Sequence, residues 1–255
     1  MKYHIGFSQS DLGTNPPNTV VLSGEPERSQ QIAQTYLADV KLLSQYRGLN
    51  SYLGNLPSGK PMLVATSGMG APSLSIVVNE LVQVGIEKFI RVGTCGSIQP
   101  KIKVGDIVIS QGSLCRQGAS LDIAPVEYPA VADPFLTVAL VETARKLGIE
   151  HHLGITASVD SFYEGQERTE SSANPNLQSW LQGITANYRQ LKILNYEMEA
   201  GTLFKMAGVY GFKAACVCAV VAQRTVEESI VIADKDAAVK RAIEVAIHSL
   251  DLLSN

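Results

Sequence analysis

The sequence predicts an α/β fold built as one domain, with a largely parallel sheet at its centre. Three observations carry that prediction. Short apolar runs of strand length alternate with longer stretches whose apolar residues recur every three to four positions. Several of the runs are apolar throughout, as buried strands are. No linker, repeat or low-complexity stretch divides the 255 residues, so residues 1–255 are read as a single domain.

In chain order, "TVVLSG" (19–24) is a strand ending at Gly24, and "EPERSQQIAQTYL" (25–37) is a helix with Pro26 in its first turn. "PMLVATSG" (61–68) is the next strand. The stretch 71–85 is a helix, with Leu74, Val77, Val78 and Leu81 on one stripe and Gly85 closing it. "KFIRVGTCGS" (88–97) and "VGDIVISQGS" (104–113) are buried strands, 134–148 is a helix and 152–162 a strand. "NYEMEAGTLFKMAG" (195–208) is predicted as a helix and "KAACVCAVVA" (213–222) as a strand. A C-terminal helix places Val239, Ala242, Ile243, Ala246, Leu250 and Leu253 on one stripe. The weakly patterned 164–192, rich in Glu, Ser, Asn and Gln, is read as a long insertion over a site.

Composition bounds the function. With 45% hydrophobic residues, 18% charged residues and a net charge of −3, the chain is an ordinary globular protein with ample core. Its mild acidity gives no support for nucleic-acid binding, so any anion must be held by a few placed arginines. "MKYHIGFSQSDLG" lacks the apolar run of a secretory signal, and no run reaches the roughly 18 apolar residues of a membrane span. Four cysteines make no disulfide framework; Cys216 and Cys218 share one sheet face as a buried, reduced pair in a cytoplasmic protein. A metal clip would need further ligands, and the sequence offers no obvious ones.

Polar residues gather where α/β sheets bind ligands, beyond the carboxyl ends of strands. Gly24 ends the first strand and Arg28 lies in the turn after it, where a glycine and a helix start suit an anion. Arg91, followed by Gly93, Thr94 and Gly96, is out of place in a buried strand: it must pair internally or point at a bound anion. Arg47 is a weaker candidate on a loop. "SGMGAPS" (67–73) lacks the Gly-Lys-Ser/Thr ending of a nucleotide-triphosphate loop, so its glycines serve strand-to-helix packing. In "YEMEAGT", capping is the better reading for Glu197, while Glu199 is open between capping and accepting from a sugar diol. "SFYEGQER" (161–168) sets Gln166 and Arg168 two apart, on the same side of an extended segment. An amide and a guanidinium there suit a flat ligand edge of acceptors around a donor. A surface turn could carry the same residues with no ligand.

Together these motifs resemble the nucleoside phosphorylase family, which includes uridine phosphorylases and the hexameric purine nucleoside phosphorylases. "SGMGAPSLSIVVNEL" is similar to the family signature, and "IRVGTCGSIQPKIKVGDIVI", "LDIAPVEYPAVAD", "TASVDSFYEGQER", "NYEMEAGTLF" and "VVAQRT" follow in the family's order. The resemblance implies a three-layer sandwich, a central mixed, mostly parallel sheet flanked by helices. Purine-specific members carry an Asp in the loop that here reads Ala222-Gln223-Arg224-Thr225. The implied reaction is therefore reversible phosphorolysis of uridine to uracil and ribose 1-phosphate, in pyrimidine salvage. Within it Arg91, Gln166 and Arg168 are the catalytic expectations.

By match to family positions, phosphate falls to Gly24, Arg28, Arg91 and Thr94, with Arg47 contributed by a neighbouring subunit. Uracil falls to Phe162, Gln166, Arg168, Val220, Val221 and Arg224. Ribose falls to Thr94, Glu197, Met198 and Glu199, with His4 reaching the 5′-hydroxyl across the interface. The resemblance implies a homo-oligomer, a hexamer, with no cofactor; phosphate is a substrate. Some members bind a monovalent cation through a Glu after the interface Arg. Here Gly48 stands there although Ser73 is kept, so the acid that would hold the cation is missing and the cation stays an open question at this point. Glu25 replaces the usual Asp of Gly-Asp-Pro-x-Arg. The alternatives are a nucleosidase, a phosphorylase of other nucleosides, and a non-catalytic nucleoside-binding protein.

Overall fold

The computed structural model describes residues 1–224, 229–230 and 232–252. In chain order these form β1 (Thr19–Ser23), α1 (Pro26–Tyr36), β2 (Ala38–Ser44), β3 (Ser51–Asn55), β4 (Pro61–Thr66) and α2 (Gly70–Gln83). Next come β5 (Lys88–Ser97), β6 (Ile107–Arg116), α3 (Gly118–Leu121), β7 (Ala130–Val131), α4 (Pro134–Lys146) and β8 (His151–Val159). The last third supplies α5 (Ile184–Gln190), β9 (Asn195–Glu197), α6 (Ala200–Tyr210), β10 (Lys213–Gln223), β11 (Ser229–Ile230) and α7 (Ile232–Leu252). Pro26 and Pro134 each stand at a helix start, where a missing N–H costs nothing and φ is already helical. Asp133 caps α4 by accepting from Leu136 N–H at 2.9 Å.

The sheet is mixed. β1 runs parallel to β4 and β5, β5 parallel to β10, and β8 parallel to β6 and β9. Antiparallel pairs join β2 to β3 and β3 to β4 at one edge, and β10 to β11 at the other. β10 also pairs with β6, and β9 with β5, so β5, β10, β6, β8 and β9 close into a ring. That ring brings the ends of β5, β9 and β10 together on one side of the sheet.

Alternation along the central strands divides the core into two layers. On β10, Ala214, Cys216, Cys218 and Val220 face a cluster with Leu74, Val78 and Leu81 of α2 and Leu203 and Phe204 of α6. Ala215, Val217 and Ala219 face the opposite cluster with Ile32 of α1, Leu140 of α4 and Ile243 and Ala246 of α7. Cys216 and Cys218 are free and buried, their sulfurs 3.6 Å apart. Val239, Ala242, Ile243, Ala246 and Leu250 are buried as their stripe predicts; Leu253 lies outside the described residues.

Two segments differ from the expectation. The predicted helix 195–208 is split: Asn195–Glu197 pair with β5 and β8, and helix begins only at Ala200. Glu197 forces the break, because its carboxylate accepts from the N–H groups of Glu199 (2.9 Å) and Ala200 (2.8 Å). The weakly patterned 164–192 contains α5, and Leu181, Ile184 and Tyr188 bury themselves against Ile98, Val159 and Tyr196.

Candidate functional site

A cleft of about 210 Å³ opens where β1, β5, β9 and β10 end. Gly24 and Arg28 come from the turn after β1, Arg91 and Thr94 from β5, Phe162, Gln166 and Arg168 from the turn after β8, and Glu197, Met198 and Glu199 from the β9–α6 junction. Residues scattered over most of the chain thus share one small volume.

Arg91 decides the electrostatics of the cleft. Its guanidinium is buried, bonds the Glu199 carboxylate through NH2 and stands 3.9 Å from Glu197 through NH1. Burial alone would lower its pKa, but Glu199 and Glu197 hold it above the usual arginine range. The side chain lies back along its own strand over Gly93, where a Cβ would come within 1.9 Å of NH1. Only a glycine two residues on, on the same strand face, leaves that room. Arg91 Nε has no hydrogen-bond partner among the described residues.

Both acids at the α6 start are engaged. Glu199 accepts from Arg91 and from the Gly70 N–H at 2.7 Å, which ties it to the start of α2. Glu197 accepts from Ser158 and from the two backbone N–H groups that begin α6. Burial raises the Glu197 pKa, Arg91 lowers it in part, and Glu199 raises it again. Gln117, buried beneath, donates to the Met198 carbonyl and accepts from the Thr202 N–H and hydroxyl.

At the other wall Arg28, also buried, bonds Glu25 at 2.9 Å. Burial holds its pKa below the ordinary range, Glu25 raises it in part, and the charge of Arg91 lowers it. Two buried guanidiniums that feel each other this way make a region where an anion is stabilised. Thr94 lies in the same wall.

The amide and a third guanidinium line the same cleft. Arg168 Nε donates to Gln166 Oε1 at 3.3 Å, which fixes the amide orientation and leaves the Gln166 NH2 as a donor beside it. The Arg168 guanidinium stacks on Phe162, 4.2 Å from the ring centre. Its pKa is lowered to about 10 by burial and by the charge of Arg224. The two side chains share the cleft for a different reason from the extended segment expected. Residues 161–168 form a turn closed by Arg168 N–H to Tyr163 O at 2.7 Å, and Glu167 between them takes the left-handed φ of +57°.

Four expected residues do not line the cleft of this chain. Val220 is buried in the core; β10 shifts register between Val220 and Ala222, and the extra residue of that bulge, Val221, lines the cleft instead. Arg47 is exposed, bonded to the Tyr3 hydroxyl at 3.2 Å. His4 bonds Glu80 at 2.7 Å in a separate surface hollow. Arg224 lies behind the cleft over the Tyr196 ring, 5.5 Å away, with NH2 3.5 Å from the Glu167 carbonyl; Thr225 is outside the described residues.

The lining also includes Glu25, Met69, Cys95, Gly96, Tyr196 and Ala222, which sequence reasoning did not select. Gly96 carries a local signal, since a Cβ there would meet Arg224 at 3.2 Å and Arg168 at 3.5 Å. Tyr196 was hidden by the helical reading of its segment. Among the described residues no cluster of His, Cys, Asp or Glu is arranged to hold a metal ion. No helix among them is long and apolar enough to cross a membrane.

Residues 18–253 match the model of the family described as the phosphorylase superfamily. A uridine phosphorylase of Klebsiella aerogenes is 42% identical over 226 residues, which cover 89% of this chain and 87% of that protein. One from Thermococcus kodakarensis is 40% identical over 238 residues, 93% of this chain and 83% of its own. A DeoD-type purine nucleoside phosphorylase of Caldanaerobacter subterraneus is 32% identical over 243 residues, covering 94% of each chain.

Proposed function

The chain belongs to the phosphorylase superfamily, and from that premise we propose that it catalyses the reversible phosphorolysis of uridine to uracil and ribose 1-phosphate. One observation carries the proposal. A single cleft brings an edge-reading pair, Gln166 and Arg168, together with two buried guanidiniums, Arg28 and Arg91. A base and an anion can then be held in one cleft beside the same sugar. The relatives named as uridine phosphorylases support the choice of base.

The chemistry follows from those positions. Phosphate sits against Arg28, Arg91, Thr94 and the Gly24 turn and attacks the anomeric carbon from the face opposite the base. As the C1′–N1 bond breaks and the C1′–O bond forms, positive charge develops on the ribose and the bonding electron pair moves into the uracil ring. That charge spreads to O2 and O4, where donors held in advance stabilise it. Gln166 NH2 serves O2, its Oε1 takes N3–H, and Arg168 serves O4. The ribose rests on Met198 and Glu199, whose carboxylate keeps further lone pairs for a diol beside those given to Arg91 and Gly70. Pre-aligned donors and nucleophile supply much of the rate in such a reaction. No cofactor is required beyond the substrate phosphate.

Cytosine would present an amino group to Arg168, leaving donors facing donors, a mismatch that polar sites reject strongly. The stretch Ala222-Gln223-Arg224-Thr225, where purine-specific members carry an Asp, has Arg224 and no acid to protonate a leaving purine. Arg47 and His4 do not reach this chain's cleft, so we place them in a neighbouring subunit's site, in a homo-oligomer of the hexameric kind. Free, buried thiols suit a cytoplasmic enzyme of pyrimidine salvage. The test is a substrate panel at saturating phosphate: uridine is cleaved, cytidine and inosine are not. Inosine cleavage at a comparable rate would overturn the assignment of Gln166 and Arg168.

A further inference from the structure

The two base-reading side chains are neighbours of a residue that touches no substrate, Glu167. It joins them in the chain, and it holds φ at +57°, a left-handed conformation that a non-glycine residue adopts at a cost of about 1 kcal/mol or more. A glycine would make the same turn without that cost. The carboxylate is what a glycine lacks. Its two oxygens accept from the backbone N–H groups of Gly183 and Thr185, the latter at 2.9 Å, where α5 begins.

α5 is in turn fixed to the sheet around the cleft. Arg189 donates to the Ile98 carbonyl at 2.8 Å and to the Arg224 carbonyl at 3.1 Å. Gln99 donates to the Arg189 carbonyl at 3.1 Å, and the Thr185 hydroxyl bonds Tyr196 at 3.0 Å. Arg224 NH2 lies 3.5 Å from the carbonyl of Glu167 itself, which closes the circuit. The base-reading turn is therefore bolted, through one carboxylate, to a helix braced on β5 and on the end of β10.

We propose that Glu167 is a positioning residue for base recognition, holding Gln166 and Arg168 in register with the edge of the pyrimidine through α5. The inference rests on the uridine reading above. It also gives the 164–192 insertion a purpose, as the fixed support of the base-reading turn. A displacement of the order of 1 Å in a reacting group can cost about 100-fold in rate, so the turn has little tolerance.

E167G and E167Q test it, with E170Q, an exposed acid of the same segment, as the control. In E167G the turn keeps its preferred backbone and loses only the carboxylate. Both Glu167 variants are expected to lower kcat/KM for uridine by about 10- to 100-fold, with the KM for phosphate unchanged and E170Q at the wild-type level. Turnover by E167G equal to or above wild type would mean that only the backbone conformation matters, and would overturn the inference. Equal losses in uridine and phosphate saturation, together with a lowered Tm, would reduce Glu167 to a general structural role and overturn it as well. If the unsubstituted protein cleaves no uridine, the functional reading fails first and this inference falls with it.

Discussion

Replacing Gly93 by alanine tests whether Arg91 is held as described. The new methyl would lie 1.9 Å from Arg91 NH1 and 3.0 Å from both Arg91 Cζ and Cys218 Sγ. The guanidinium is the far end of a flexible chain, so it could move, but it is buried and held between Glu199 and Glu197. Moving it takes the counter-charge from two buried carboxylates and leaves the guanidinium without its own. Breaking such a pair costs about 3–5 kcal/mol. In a chain of this size each kcal/mol lowers Tm by about 2–4 °C, so G93A should melt about 10 °C below the parent. The displaced guanidinium should also raise the KM for phosphate. Thermal denaturation and initial rates with phosphate varied would read both. In an R91M background, the alanine should add little to what R91M alone costs, because the two changes act on one contact. An unchanged Tm with an unchanged phosphate KM in G93A would refute the placement of Arg91 over Gly93.

R168M should abolish uridine turnover and remove the pH dependence of stability that burial and the charge of Arg224 give this group. The sign can be followed with pH. Arg168 is held to about 10 in the folded state, below the value of an arginine in the unfolded chain. In that window the unfolded chain binds more protons, so stability from this group rises with pH, and R168M should remove that slope. The bulge on β10 separates two neighbours with opposite roles. V220A should cost about 2 kcal/mol in chemical denaturation with the KM for uridine unchanged, whereas V221A should alter the KM for uridine and for 5-substituted uridines with little loss of stability. The reverse pattern would mean the register shift is misplaced.

Much of the sheet was legible because its strands are local statements. Val20–Leu22, Met62–Ala65 and Ala214–Ala219 are apolar runs that no helix period fits, and the α2 stripe closes on Gly85. β9 was not legible: three residues next to a helical pattern become strand only through pairing with β5 and β8, a tertiary fact. β2 escaped because five of its seven residues are exposed and carry no alternation. At the site, Arg91 announced itself as a cation in a buried strand, but its partner Glu199, 108 residues away, did not. Gln166 and Arg168 were found by spacing, though a left-handed turn rather than an extended strand aims them together. Their support by α5, through Glu167, is a contact between segments that only folding brings together. His4 and Arg47 lie apart from the cleft, His4 bonded to Glu80 and Arg47 to Tyr3, so their place in the chain gave no local signal of the site.

The account's central claim is that Arg28 and Arg91 hold a phosphate that serves as the nucleophile. Its most direct test is uracil release from uridine, followed with and without inorganic phosphate, with the sugar product identified. The account predicts release only when phosphate is present, with one ribose 1-phosphate formed per uracil. Release of uracil and free ribose at the same rate without phosphate would contradict it, making water the nucleophile and removing the role given to both arginines.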